Sequence, residues 1–231
     1  MQFDREKEVR IEIFTLRALL EARWRFFMKR NFFSAKMVTT LAILTALVIV
    51  LQAFGGSISI GVVTLNFTLI PLVLGAIVLG PLAGAFLGFV GGFVILIQVI
   101  MAPAGVYFIM WTNSPLVTTM ICLVKTTVAG FVAGWIFQLF EKKNRATAIF
   151  LASGLVPIIN TALFVLGCLC MPNTVSMIAN SFNAGGQNIF VFILVGLVTF
   201  NFFFELAVNL LVAPSLHTVY KTVEKQFKKG R

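Results

Sequence analysis

The sequence predicts an all-α protein: an integral membrane bundle of six transmembrane helices, with both termini cytoplasmic and an amphipathic helix before the first span. Composition is the first reason, because 59% of the 231 residues are hydrophobic, only 11% are charged and the mean hydropathy is +1.01. A soluble domain of this composition would lack the polar surface needed to cover its core. Span length is the second reason, since several apolar runs approach the roughly 20 residues that cross a ~30 Å hydrocarbon layer.

The placement of charge is the third reason. Between Met37 and Tyr220 only six residues are charged: Lys125, Glu141, Lys142, Lys143, Arg145 and Glu205. The rest of the charge, with its basic excess, lies at the two ends beside apolar spans, which argues against a nucleic-acid partner. The positive-inside rule therefore predicts a multi-pass protein of the cell membrane, with the two ends and the 141–145 connection in the cytoplasm.

The segment at 1–33 predicts an amphipathic helix at the cytoplasmic interface. Val9, Ile13, Leu16 and Leu20 recur at spacings of three and four residues, as one face of a helix requires. Aromatic and basic side chains follow them, a mixture that suits the headgroup region. We expect an interfacial anchor and topology signal; a helix that docks a partner protein is the alternative.

A six-helix transmembrane domain at 34–213 and a basic cytoplasmic tail at 214–231 follow. The spans are predicted at 34–53, 66–79, 82–101, 115–140, 146–170 and 188–213. Gly80-Pro81 predicts a tight turn, and Pro157 and Asn160 interrupt the fifth span. Three uncharged connections are predicted as outer loops: 54–65, with some extended character, 102–114 and 171–187.

Small residues at four-residue spacing predict close helix packing in the third and fourth spans. They are Gly84, Gly88 and Gly92 in the third span, and Gly130 and Gly134 in the fourth. Such rows let helix backbones approach where lipid gives no hydrophobic drive to associate. Ala42 and Ala46 repeat the spacing more weakly in the first span.

Polar residues within or next to the spans are the candidates for a ligand pocket, because an ionisable group in the bilayer needs a partner or a cavity. The candidate substrate-binding residues are Asn66, Gln98, Tyr107, Trp111, Asn113, Lys125, Asn160, Asn201 and Glu205. Asn201, Glu205 and Asn209 form one stripe on the sixth span. The alternative is that Lys125 and Glu205 form an ion pair that only neutralises two buried charges.

Enzymatic chemistry finds little support in the sequence. The spans contain no histidine or aspartate and a single glutamate, and no zinc-protease or nucleotide-binding motif occurs. Cys122, Cys168 and Cys170 lie in apolar surroundings and are expected to be buried thiols. We therefore expect no enzyme, no metal and no cofactor. A stand-alone membrane carrier and, more remotely, an intramembrane enzyme are the alternatives.

The stretch 65–88, LNFTLIPLVLGAIVLGPLAGAFLG, resembles a signature of the substrate-binding S components of energy-coupling factor (ECF) vitamin transporters. The resemblance extends over about 36–220. It implies a high-affinity capture subunit of an ABC importer for a small water-soluble vitamin or related micronutrient. Its implied partners are a transmembrane T component and two ATPase subunits, and the ATP is hydrolysed in the latter.

The same resemblance implies a coupling interface. The segment Ala42-Ile43-Leu44-Thr45-Ala46 is similar to the A-x-x-x-A motif that in this family packs against the T component. The N-terminal extension departs from the family's pattern. The vitamin stays open: Lys125 suits an anion such as pantothenate or a folate carboxylate, whereas Tyr107 and Trp111 suit a flat ring such as a flavin.

Overall fold

The computed structural model describes residues 35–55, 59–60, 63–64 and 66–228, so the amphipathic helix predicted at 1–33 lies outside the described residues. The chain divides into two units, Met1–Thr39 and Thr40–Arg231. Of the first unit only 35–39 is described, as the beginning of a helix. The second unit contains all the features analysed below.

The described elements are mainly helical. In chain order they are α1 (Ala35–Gly55), β1 (Ser59–Ile60), β2 (Val63–Thr64), α2 (Leu69–Leu79), α3 (Pro81–Ile100), α4 (Gly105–Asn113), α5 (Pro115–Phe140), α6 (Arg145–Leu169), α7 (Pro172–Ser181), α8 (Ile189–Val191), the π-helix π1 (Phe192–Val198) and α9 (Thr199–Lys228). The segments α8, π1 and α9 run on as one continuous helix, called the last helix below. The two strands form an antiparallel hairpin with Ser59 opposite Thr64, in agreement with the extended character predicted for 54–65.

Within the described part of the chain, five helices are long and apolar enough to cross a membrane: α1, α3, α5, α6 and the last helix. The remaining predicted span, the second at 66–79, is shorter than expected, because its helix α2 has 11 residues and is about 17 Å long at 1.5 Å per residue. Nine of the eleven residues are buried. Since α2 contacts α3, α5, α6 and α9, it is covered by protein and its length is not set by the bilayer.

The turn between α2 and α3 has the geometry that its sequence predicts. Gly80 has a φ of +103°, which glycine adopts without a steric penalty, and its N–H donates to the carbonyl of Ala76 at 3.1 Å. Pro81 then begins α3, where its missing N–H costs no hydrogen bond.

The glycine rows bring α3 and α5 into backbone contact, as predicted. A Cβ added to Gly84 would overlap the carbonyl oxygen of Gly130, and one added to Gly130 would overlap that of Gly84. Likewise, a side chain at Gly88 would overlap the carbonyl of Thr126, and one at Gly92 the carbonyl of Cys122. The two helices therefore meet along a seam that admits no larger residue.

The prediction of loops at 102–114 and 171–187 was partly wrong, because each of these connections contains a short helix. Apolar side chains explain both, because Met110 of α4 and Val175 and Ile178 of α7 are buried in one hydrophobic cluster. Local hydrogen bonds add to this: Asn113 Nδ2 donates to the carbonyl of Ile109 at 2.9 Å. The uncharged connections are thus packed structure.

Two predicted helix boundaries also differ. Helix α6 runs without interruption through Pro157, although proline has no N–H to donate to the carbonyl four residues earlier. The last helix continues beyond 213 to Lys228. Its end is held by Arg145, whose Nη1 lies 2.7 Å from Glu224 Oε2 and whose guanidinium lies over the ring of Tyr220. The 141–144 connection and the tail therefore lie at the same end of the bundle.

The outer faces of the long helices are apolar. On α3 the exposed side chains include Phe86, Phe89 and Phe93, and on the last helix Phe203 and Leu211 are 62% and 78% exposed. Large apolar surfaces of this kind suit contact with lipid tails.

Candidate functional site

A cavity lies among all the helices from α1 to α6 and the last helix. Its wall is formed by Gln52, Asn66, Ile95, Val106, Tyr107, Lys125, Asn160, Thr161, Phe164, Leu197, Val198, Asn201 and Glu205. The centre of a sphere the size of a water molecule can occupy a volume of about 60 Å³ within this cavity. At roughly 10–15 Å³ per water on this measure, the space accommodates a few water molecules.

Glu205 is the most buried charged group of the wall, with 3% of its surface exposed. Asn201, one turn earlier on α9, donates from Nδ2 to Glu205 Oε1 at 3.0 Å. Asn209, one turn later, donates from Nδ2 to the backbone carbonyl of Glu205 at 2.9 Å. The predicted polar stripe is therefore connected by hydrogen bonds along one face of the last helix.

Lys125 lies on α5 and faces the same cavity. Its Nζ is 5.2 Å from the centre of the Phe164 ring, a cation–π arrangement. Among the described residues, no ion pair within 4.0 Å joins Lys125 to Glu205. The two side chains therefore form no direct salt bridge, although their charges interact across the cavity.

The segment before α2 contributes to the wall. Asn66 lines the cavity, and its Oδ1 accepts a hydrogen bond from Thr68 Oγ1. Thr68 Oγ1 also lies 3.3 Å from Gln52 Oε1. These contacts connect Asn66 to the first span.

Gln98 does not line the cavity, but it forms hydrogen bonds with Gln52, which does. Gln52 Nε2 donates to Gln98 Oε1 at 2.9 Å, and Gln98 Nε2 donates to the carbonyl of Gln52 at 3.0 Å. Gln52 is 5% exposed and was missed in the sequence. Its signal was an amide within the otherwise apolar first span, of the same kind as that of Gln98.

Two other predicted residues also lie outside the wall. Trp111 packs against a cluster that contains Val99, Cys122 and the wall residue Ile95, but it does not line the cavity itself. Asn113 is exposed and lies at a second, shallow cavity with Cys170. Cys170 is itself exposed, so the expectation of three buried thiols was wrong for this residue.

Six of the nine predicted residues are brought together in the wall: Asn66, Tyr107, Lys125, Asn160, Asn201 and Glu205. The apolar wall residues and Thr161 were not predicted. Phe164 follows Asn160 on α6 by four residues, a spacing that places both on one helix face and could have suggested Phe164; Thr161, directly after Asn160, had no such signal.

Three buried oxygen atoms in the wall accept no hydrogen bond: Asn160 Oδ1, Asn201 Oδ1 and Glu205 Oε2. A buried polar atom without a partner costs about 1–3 kcal/mol. Such atoms are rare in folded proteins and call for a specific explanation. Three of them around one cavity indicate a place where a bound molecule supplies the missing hydrogen bonds.

The fold and the cavity agree with the comparison to known protein families. The family described as "ECF transporter, substrate-specific component" matches residues 36–217. The chain belongs to this family. As a substrate-specific component it is a membrane-embedded subunit of a transporter and not an enzyme. No curated protein matches the chain.

The two alanines predicted for the coupling interface of this substrate-specific component lie on α1. Both Ala42 and Ala46 are exposed, one turn apart on the same side of the helix. Ile43, next to them, is 63% exposed. This face of α1 is therefore free of contacts with the rest of the described chain.

Proposed function

We propose that this substrate-specific component captures a small water-soluble vitamin or related micronutrient in the cavity around Glu205. The single observation that carries the proposal is the group of three unpartnered oxygen atoms in the cavity wall. These unpartnered oxygen atoms cost free energy as long as the cavity holds no ligand. A bound molecule with matching donors supplies the missing hydrogen bonds and removes that cost, so binding is favoured.

The transport cycle in this proposal needs other subunits. The captured molecule passes through an ABC importer that consists of this chain, a T component and two ATPase subunits, where ATP is hydrolysed. Family membership supports this assembly. The exposed alanine face of α1 supports it as well, because small side chains let a partner helix approach closely.

The proposed binding side is the outer end of the bundle, with the termini cytoplasmic. The basic 141–145 connection and the basic tail support this orientation, since they lie together at one end. The hairpin, α4 and α7 connect the opposite ends of the same helices. In this proposal a nutrient enters past α4, which supplies Val106 and Tyr107 to the wall.

A binding screen tests the proposal. The full chain, purified in detergent, is titrated by calorimetry with the water-soluble B vitamins. We expect saturable binding of one of them, and ATP-dependent uptake of the same compound in vesicles that also contain a T component and the ATPases. A folded, monodisperse protein that binds no compound of the panel would contradict the proposal.

A further inference from the structure

One side of the cavity consists of hydrogen-bond acceptors. This acceptor pole is defined here as Asn160, Asn201 and Glu205. Each contributes one buried oxygen that receives no hydrogen bond from the described residues: Oδ1 of both asparagines and Oε2 of the glutamate. Asn160 is 4% exposed and Glu205 3% exposed, so bulk water does not satisfy them.

The orientation of the asparagine amides follows from the carboxylate. A carboxylate only accepts hydrogen bonds, so Asn201 must turn its Nδ2 towards Glu205 Oε1, which it does at 3.0 Å. The side chain of Asn160 approaches the same carboxyl group. Rotating Asn201 by half a turn would place two acceptors face to face. Its Oδ1 therefore stays available to a ligand.

The other side of the cavity carries a donor. Lys125 Nζ has three N–H donors; it lies 5.2 Å from the centre of the Phe164 ring, and its charge interacts with that of Glu205 without a direct salt bridge. Because no direct ion pair within 4.0 Å joins these two residues among the described residues, the cavity is dipolar: acceptors without a hydrogen bond lie at the pole around Glu205, and the ammonium donors lie at Lys125.

Resting on the proposed function, we infer that the substrate is a small dipolar molecule with complementary ends. One end presents at least two N–H donors to the acceptor pole, as an amino-substituted heterocycle, an amidine or a primary ammonium does. The other end presents a carbonyl, a ring nitrogen or a carboxylate to Lys125. A purely anionic ligand would leave the acceptor pole unpaired and meet the charge of Glu205.

Matched pairs of probes test this inference in the purified full chain by calorimetric titration. Pyridoxamine carries an amine where pyridoxine carries a hydroxyl, and nicotinamide carries an amide where nicotinate carries a carboxylate. Lipoate is an anion without N–H donors. We expect the donor-bearing member of at least one pair to bind at least tenfold more tightly than its counterpart. Tighter binding of nicotinate or lipoate would overturn the inference and leave the proposed function standing. A folded protein that binds none of these probes and none of the B vitamins would contradict both.

The variant Glu205→Gln separates a ligand contact from a structural role. It removes the charge and places an amide where Oε2 lies, so its N–H groups can donate to the unpartnered asparagine oxygens. We expect the melting temperature of the free protein to stay equal or rise, while binding of the donor-bearing probe weakens at least tenfold. A lower melting temperature with unchanged affinity would overturn the inference.

Two further variants complete the test. Glu141→Gln removes a carboxylate at the end of α5, outside the cavity wall, and is expected to leave the affinity unchanged. Asn160→Leu removes one oxygen of the acceptor pole and is expected to weaken binding of the donor-bearing probe several-fold. It provides the decisive readout if Glu205→Gln does not fold, and an unchanged affinity would count against the inference.

Discussion

Gln52 and Gln98 exchange hydrogen bonds across α1 and α3: Gln52 Nε2 donates to Gln98 Oε1 at 2.9 Å, and Gln98 Nε2 donates to the Gln52 carbonyl at 3.0 Å. Of these two glutamines, Gln52 lines the cavity and Gln98 does not. Gln98 thus acts on the site as a positioning residue, and the pair connects the first span to the wall that binds the proposed ligand.

We expect Gln98→Leu to weaken ligand binding several-fold although Gln98 does not line the cavity. The substitution leaves the side-chain Nε2 and the backbone carbonyl of Gln52 each without the partner that Gln98 provided, at a cost of about 1–3 kcal/mol of stability. Calorimetry and thermal melting in detergent measure the two effects. Gln138→Leu is the matched control, because Gln138 lies beside Gly80 at the other end of α5. Equal affinities of wild type and Gln98→Leu would contradict the positioning role.

The seam between α3 and α5 gives a second prediction. We expect Gly88→Ala to lower the melting temperature strongly, because the added Cβ would overlap the backbone carbonyl of Thr126, which cannot move aside as a side chain can. At Gly154 an added Cβ would meet Leu210 Cδ2 at 3.4 Å, an ordinary contact. Gly154→Ala is therefore expected to be neutral or to stabilise α6 by about 0.5–1 kcal/mol. Similar melting temperatures of the two variants would contradict the seam.

The sequence predicted the parts of the fold that depend on repeated spacing. The glycine rows on α3 and α5 and the Asn201–Glu205–Asn209 stripe follow from the helical period, and the Gly80-Pro81 turn follows from the backbone preferences of glycine and proline; the structure has all three. The length of α2 was not predictable in this way. Its 11 residues suffice because protein covers them on all sides, which is a tertiary effect that hydropathy does not express.

The site was predictable where a polar residue stands out in an apolar span, as Lys125, Asn160 and Glu205 do. Depth along a helix does not tell which way a side chain points. Trp111, for example, was assigned to the pocket, but it packs against the cluster around the wall residue Ile95 and does not line the cavity itself. The helices α4 and α7 were missed because each is nine or ten residues long and begins at or after proline or glycine, which usually indicates a turn.

The orientation of the chain gives a third prediction. We expect a reporter that is active only in the cytoplasm to give signal when attached at Lys143 or Arg231, and no signal at Asn113 or Asn183. The reason is that the basic segments share one end of the bundle, and Lys and Arg are retained on the cytoplasmic side. Lys143, Asn113 and Asn183 are all exposed, so fusion there leaves the core intact. A signal at Asn113 would contradict the six-span topology.

A fourth prediction concerns assembly with the T component. We expect Ala42→Trp to reduce co-purification with the T component and the ATPases, and to leave vitamin binding by the isolated chain unchanged. The bulky ring would hold a partner helix away from the small face of α1. Leu211→Trp is the control, since Leu211 is 78% exposed on the last helix and lies outside that face. Normal assembly and uptake with Ala42→Trp would show that coupling uses another surface.

The two charges of the cavity give the last prediction, which a double-mutant cycle measures. We expect Lys125→Met to weaken vitamin binding about tenfold or more, because a hydrogen bond to a charged group contributes about 1.5–3 kcal/mol. We also expect Glu205→Gln not to restore binding when the two substitutions are combined. The physical reason is that the charges are not paired with each other, so removing the second does not relieve the loss of the first. If the double variant bound as tightly as the wild type, the two side chains would have to pair in the ligand-free protein, and the remaining wall amides together with Tyr107 would be left as the contacts to the ligand.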